Sequence, residues 1–372
     1  MEHNFTSAGF TIGIEEELMI VDAETLVLEN AIEQLLEESE RRVKPELMQS
    51  VCEIATSPCR GVDEAGEELV GLRRRVCELA DRHGLGIGSA GTHPFAMWED
   101  QRIAARPRYR DLIEALRFVA RQELIFGMHV HVGMDDADKA IHVANGMRVH
   151  LPVLLALSAN SPFWRGQNTG LMSARTPIFR AFPRVGVPPA YRDWEDYQAR
   201  IGFMVESGVM EDYTYLWYDV RPHPKLGTVE IRVCDSQTRV EHTLGLAALI
   251  QAMVRELAEH FDAGKPLSDY PWEMLDENKW LAARHGLEGE LIDLPVRERV
   301  STKELARRLL DRLIDHAQDL GSADHFEALE DLLARGNGAH RQRVVWEANH
   351  DLREVMSEIV AATTPAAPDP AT

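Results

Sequence analysis

The chain has 372 residues, 45% hydrophobic and 27% charged, a profile that implies a sizeable core and excludes a disordered or fibrous protein. Its formal charge is −21, from 61 acidic against 40 basic residues, so nucleic acid and anionic membranes are repelled over most of the surface. An anionic small molecule can bind only where arginines, helix N-termini or cations reverse that field. The four cysteines, Cys52, Cys59, Cys77 and Cys234, form no CxxC pair, which fits a reducing compartment. No basic segment leads into an apolar run at the N-terminus, and no stretch approaches the ~18 apolar residues of a membrane span. A cytoplasmic location is expected.

In chain order, apolar and β-branched residues from Phe10 to Val21, interrupted by three acids, predict a first strand, and Leu47 to Ala55 a second. Between them Glu29 to Arg42 has helical composition. Val62 to His83 carries Leu69, Leu72, Val76 and Leu79 at helical spacing with charges elsewhere, which predicts a surface helix closed by Gly84. Leu85 to Ala90 reads as a short strand entering the turn Gly91-Thr92-His93-Pro94-Phe95. A helix over Tyr109 to Leu124 feeds a strand over Phe126 to Met134, and Lys139 to Ala159 is again helical, kinked at Pro152. Ser161 to Pro189, rich in Gly, Pro, Ser and Arg, is a long loop of the kind that carries function or moves. Trp194 to Val209 is helical. Tyr213 to Val220 and Thr228 to Cys234 read as paired strands around a turn from Pro222 to Gly227. Leu244 to Phe261 is a helix, and the remainder to about Val360 is mainly helical. No linker or repeat divides the chain, so one domain is expected over 1–362, followed by a disordered Pro/Ala-rich tail over 363–372.

Splitting the strands by their period of two separates a core face from a polar one. Val229, Ile231 and Val233 alternate with Thr228, Glu230 and Arg232, while Met128, Val130 and Val132 alternate with His129 and His131, flanked by Gly127 and Gly133. In the first strand Glu15 and Glu17 share a face, roughly 7 Å apart. Glu16 falls among Ile12, Ile14, Leu18 and Ile20, so it is either paired inside the apolar layer or released by a bulge. The second strand adds Glu53, with Glu46 near its start. A solvated face normally carries Thr, Lys, Ser and Arg. Four carboxylates and two imidazoles on adjoining strands repel or compete unless cations bind them. Such an oxygen-rich set suits Mg²⁺ or Mn²⁺ better than structural zinc, and the two glycines would let a ligand approach the backbone. A multi-cation face of this kind is a receptacle for a nucleoside triphosphate.

Five strings carry a likeness to a known family. They are Gly13-Ile14-Glu15-Glu16-Glu17-Leu18, Gly91-Thr92-His93-Pro94-Phe95, Gly127-Met128-His129-Val130-His131-Val132-Gly133, Gly227-Thr228-Val229-Glu230-Ile231-Arg232-Val233 and Arg284-His285-Gly286-Leu287-Glu288-Gly289. In this order they resemble the glutamate-cysteine ligase type 2 family, in its YbdK-type carboxylate-amine ligase subgroup, over residues about 10 to 360. The resemblance implies an α+β, glutamine-synthetase-like fold: a curved, mainly antiparallel sheet forming a metal-lined funnel, with helices on its outer face. It implies cation ligands at Glu15, Glu17, Glu53, His129 and Glu230, with Glu46 a weaker candidate. Arg232 and Glu53 would be catalytic, Arg232 meeting phosphate or the substrate carboxylate, and Arg175, Arg221 and Arg284 would contact phosphate.

His131 either binds metal or orients a neighbour, His93 serves a turn hydrogen bond or catalysis, and His223 reads as a turn residue. Trp217 and Tyr218 are core residues or a base-stacking platform. The implied reaction uses ATP and Mg²⁺ (or Mn²⁺) to join glutamate, through an acyl phosphate, to an amine such as cysteine, and the implied assembly is a homodimer. A metal-dependent hydrolase using the His-x-His strand and a nucleotide-binding regulator on the same scaffold are the alternatives.

Overall fold

The computed structural model describes residues 1–7, 9–39 and 43–365. Seven strands build the main sheet: β1 (Ile12–Asp22), β2 (Val43–Pro45), β3 (Val51–Ala55), β4 (Leu85–Gly88), β5 (Gly127–Gly133), β6 (Val220–His223) and β7 (Thr228–Asp235). Their order is β6-β7-β5-β1-β3-β2, with β4 also paired to β1, and every pairing in this sheet is antiparallel. The α+β architecture and mainly antiparallel sheet implied by the motifs are the ones observed.

Alternation sets which face each side chain takes. In β1, Ile12, Ile14, Glu16 and Leu18 are buried while Gly13, Glu15 and Glu17 are only partly so. The buried set joins Ile54, Val130, Val132, Val229 and Ile231 in the principal core, where helices Val62–Arg82, Ala137–Met147, Leu151–Ser158 and Val240–Asp262 cover the sheet. Each large apolar side chain fully buried there stabilises the fold by roughly 1.5–3 kcal/mol. The helix Val62–Arg82 buries the expected stripe of Leu69, Leu72, Val76 and Leu79, and Arg73 with it. A side chain at Gly66 would begin 2.9 Å from Leu244, so glycine permits the close approach of this helix to Val240–Asp262.

Arg73 answers the question of Glu16. Its Nε and Nη2 each donate to the Glu16 carboxylate at 2.7 Å, and the Thr243 hydroxyl donates at 2.6 Å. Glu16 is therefore paired inside the apolar layer, with no bulge. The remaining Arg73 donors meet the carbonyls of Gln237, Thr238 and Thr363, which ties the C-terminal helix to the sheet.

Several elements differ from expectation. The helix expected over Tyr109 to Leu124 is split into Pro107–Leu116 and Phe118–Arg121 by Arg117, whose φ is 52°. The stretch Lys139 to Ala159 breaks before Pro152, which occupies the first turn of a second helix where its missing N–H costs nothing; the two helices meet at 63°. The strand expected over Tyr213 to Val220 becomes a 3-10 turn (Tyr213–Tyr215), the short strand Trp217–Tyr218 paired in parallel with Val185–Gly186, and then β6. Pro222 and His223 belong to β6, opposite Val229 and Thr228. A hairpin, Glu290–Asp293 with Glu298–Ser301, lies in the region read as mainly helical.

At the C-terminus the last helix, Leu352–Thr363, enters the stretch expected to be tail. Thr363 is buried, and its hydroxyl accepts from the Ser89 N–H at 2.9 Å. The rest of the expected tail, from 366 onward, lies outside the described residues. Among the described residues no single helix is long and apolar enough to cross a membrane. All four cysteines are free.

Candidate active site

The polar face of the sheet lines a cavity of about 310 Å³, within the usual range for small-molecule sites. β1 supplies Glu15 and Glu17, β3 Glu53, β5 His129 and His131, β6 Arg221 and His223, and β7 Glu230 and Arg232. Cross-strand register brings them together: Glu15 lies opposite His129, Glu17 opposite Glu53, and Glu230 opposite both His131 and Arg221.

One group of three possible ligands forms here among the described residues. Ligand atoms of Glu15, His131 and Glu230 all lie within 4.8 Å of one another. His131, whose role strand period left open, belongs to this group. His129 stands beside the group, its Nδ1 3.4 Å from both Glu15 and Arg232. The Nε2 atoms of His129 and His131 are buried without a hydrogen-bond partner. Burial raises the Glu15 carboxyl, but hydrogen bonds and charge from the two histidines outweigh it and hold it well below its usual range. Burial lowers His129, reinforced by Arg232, whereas for His131 the carboxylates of Glu230 and Glu15 overcome burial and raise it.

Glu230 is the most heavily paired member. Arg221 Nε donates to it at 2.5 Å, and Arg232 bonds it from the same strand. Burial opposes its charge, but Arg221, Arg232 and His131 keep its carboxyl well below the ordinary value. Arg221 lines the cavity with four of its five N–H donors engaged, two of them from Nη1 to the carbonyls of Thr214 and Leu216. Its Nε and Nη2 both bond the Glu230 carboxylate, which fixes Glu230 in the cavity wall.

The other wall is anionic. Glu53 is pushed up to about 7 by burial and by Glu15, despite a 2.8 Å bond from Lys44. The Lys44 side chain is 55% exposed, so solvent screens much of its charge. Glu46 is raised well above its ordinary value by burial, Glu53 and Glu17. Glu123 also lines this wall, raised to about 8 by burial and by Glu17. Sequence reading missed Glu123 because it sat inside an expected helix; its position just before β5 was the available signal.

Arg175 reaches the cavity from the long loop, on the short helix Arg175–Phe179. Asp235, at the end of β7, holds that loop by accepting from Asn160 N at 2.8 Å, Ser161 Oγ at 2.6 Å and Ser173 Oγ at 2.9 Å. A side chain at Gly127 would collide with the Arg175 guanidinium, and one at Gly133 with Thr11 and Ser7. The glycines of β5 thus admit protein side chains, where ligand approach was expected. The Nε atoms of Arg175 and Arg232 are both buried without an acceptor.

Arg284 is not brought into the cavity; its guanidinium bonds the Gly170 carbonyl. His93 serves the turn: its Nε2 bonds the Leu26 carbonyl at 2.9 Å, and its Nδ1 accepts from the N–H groups of Phe95 and Ala96. His223 lines the cavity, edge-on to His131, while its Nδ1 accepts from the Leu226 N–H within the turn. Trp217 lines the cavity against Phe182, whereas Tyr218 packs on the core.

Carboxylate oxygens with imidazole nitrogens beside them fit a hard divalent cation. The crowding that raises Glu46, Glu53 and Glu123 is the imbalance such a cation relieves.

Residues 11–361 match the model of glutamate-cysteine ligase family 2 (GCS2). The chain belongs to that family. It is 44% identical over 370 residues to a protein of Rubrobacter xylanophilus provisionally named glutamate–cysteine ligase 2-1, covering 98% of each chain. It is 41% identical to the provisionally named glutamate–cysteine ligase 2 of Roseiflexus castenholzii, covering 96% of each. Among solved structures, the glutamate–cysteine ligase of Francisella tularensis in complex with AMP superposes with a TM-score of 0.72 at 14% identity, over 97% of this chain and 89% of that one. A bifunctional glutathione synthetase of Pasteurella multocida gives 0.67 at 14% identity, over 96% of this chain and 51% of that one. At such identity these two likenesses establish the fold, while membership of the GCS2 family rests on the sequence match along the chain.

Proposed function

We propose that the chain is an ATP-dependent carboxylate-amine ligase, joining the γ-carboxylate of glutamate to an amine such as that of cysteine and releasing ADP and phosphate. The observation that carries this reading is one cavity holding Glu15, His131 and Glu230 alongside Arg175 and Arg232, whose buried Nε atoms have no acceptor. The AMP found in the Francisella tularensis enzyme supports a nucleotide in the equivalent fold.

Carboxylates are poor acylating agents in water, so the substrate carboxylate must be activated. Its oxygen attacks the γ-phosphorus of ATP, the β–γ bridge breaks, and ADP departs. The amine then attacks the carbonyl carbon of the acyl phosphate, expelling phosphate and losing a proton. Mg²⁺ or Mn²⁺ held by Glu15, His131 and Glu230, with Glu17, Glu46, Glu53 and His129 facing the same cavity, would neutralise the polyphosphate charge. Arg232 and Arg175 orient phosphate oxygens through their unpaired donors, and Arg221 keeps Glu230 ionised and in place. No side-chain nucleophile is needed.

Purified protein given ATP, glutamate and a panel of amines should release ADP, and hydroxylamine should trap a glutamyl hydroxamate. Glutamate labelled with ¹⁸O in its γ-carboxylate should pass one label into phosphate. AMP as the nucleotide product, or label confined to glutamate and amide, would refute the acyl-phosphate route.

A further inference from the structure

On the helix-covered side of the sheet lies a second cleft, of about 600 Å³, bordered by Arg148, Pro189, Asp269, Tyr270, Pro271 and Trp272. Arg148 follows the helix Ala137–Met147 and is only 7% exposed. Its Nε is wholly buried without a hydrogen-bond partner, and among the described residues its guanidinium has neither acceptor nor ion pair. A guanidinium stays charged inside proteins, and with Nε buried and unpartnered the two Nη groups of Arg148, which have no acceptor among the described residues, are open to an anion in the cleft. Burial pulls its pKa down, and Asp269 pulls the other way. Asp269 is exposed on the same rim and acts on Arg148 through charge, without an ion pair to it.

The walls of the cleft are held in place. Trp272 Nε1 donates to the Val187 carbonyl at 3.0 Å, and Asn145 exchanges two hydrogen bonds with the backbone of Tyr191. Trp272 nevertheless remains 43% exposed, offering an indole face to the opening. A planar carboxylate matches the guanidinium fork. Asp269 disfavours a dianion such as phosphate and would accept an ammonium group. Pro189, Tyr270, Pro271 and Trp272 suit an apolar body.

We propose that this cleft binds a free α-amino acid with an apolar side chain, its carboxylate on Arg148, its ammonium on Asp269 and its side chain against Trp272. This site is separate from the ligase cavity and does not depend on the ligase reading.

Isothermal titration of the full chain tests it, using L-phenylalanine, 3-phenylpropionate, which lacks the ammonium, and inorganic phosphate. Phenylalanine should bind the wild type and Arg232→Gln alike, which places it outside the ligase cavity. Arg148→Met should weaken it at least about tenfold, the loss of a charge-assisted bidentate pair. Asp269→Asn should weaken phenylalanine but leave 3-phenylpropionate unchanged. The site is overturned if the wild type takes up no phenylalanine at about 10 mM, an affinity too weak to matter. It is equally overturned if Arg148→Met binds as the wild type does, if Arg232→Gln abolishes binding, or if phosphate binds more tightly. Should circular dichroism show Arg148→Met unfolded, Asp269→Asn decides, and an unaltered preference between phenylalanine and 3-phenylpropionate refutes the assignment.

Discussion

Glu16 and its two neighbours on β1 stand on opposite faces of one sheet and are treated in opposite ways. Glu16 is fully buried against the helices and receives two bonds from Arg73 and one from Thr243, so its charge is answered within the chain. Glu15 and Glu17 face the funnel with Glu46, Glu53 and Glu123, three of which are pushed above their ordinary pKa by burial and by one another. A fold that answers Glu16 fully within the chain leaves Glu46, Glu53 and Glu123 crowded and raised on the other face, the imbalance that a bound cation relieves.

The largest effect expected is on the paired side. Glu16→Gln or Arg73→Met should each cost about 3–5 kcal/mol of unfolding free energy, because each strands the partner's charge in the core. Replacing both with apolar residues should recover most of the loss. Urea titration measures all three, and single losses under about 1 kcal/mol would make Glu16 no different from its neighbours.

On the funnel side the pattern reverses. Glu53→Gln should lower turnover by about a hundredfold or more, roughly 2.7 kcal/mol, while raising the stability of metal-free protein, since it removes one of several crowded charges. Glu230→Gln should lower both, because Arg221 and Arg232 lose their shared acceptor. Equal stability changes in the two variants would erase the distinction between the anionic wall and the Glu230 cluster.

A smaller effect concerns His93, a motif histidine that belongs with the paired, structural groups. Burial lowers it from 6.5 to about 4. A depressed pKa means its contribution is complete above about pH 6.5 and is lost as pH falls through 4. By pH 5 it amounts to a loss of about 2 kcal/mol. An NMR titration of the His93 ring should show a midpoint near 4, and one near 6.5 would mean that the ring is not locked in the turn.

The two faces were legible in the sequence because strand period is a local property. It separated Glu15 and Glu17 from Glu16, and Glu230 from Ile231, without knowledge of neighbours. What decided the rest was long-range. Both β5 histidines share a face, and only register against β7 sets His131, rather than His129, opposite Glu230. Arg73 lay on the apolar stripe between Leu69 and Val76, yet it reads as a surface charge until its carboxylate partner on β1 is known. Glu123 was hidden by a helical pattern that Arg117 interrupts. Arg284 occupied a motif position, but the direction of a side chain at a helix end depends on which loop passes by, here the one carrying Gly170.

The claim that the funnel awaits cations is tested most directly by Mn²⁺ binding to metal-free protein, followed by electron paramagnetic resonance and by the shift in melting temperature. The account predicts at least one bound ion, stabilising the fold by about 2.7 kcal/mol at a hundredfold excess over Kd. Binding should be weakened by Glu15→Gln and by His131→Ala, and retained in the double apolar replacement of Glu16 and Arg73. Absence of binding to the wild type, or equal binding by all these variants, would contradict it.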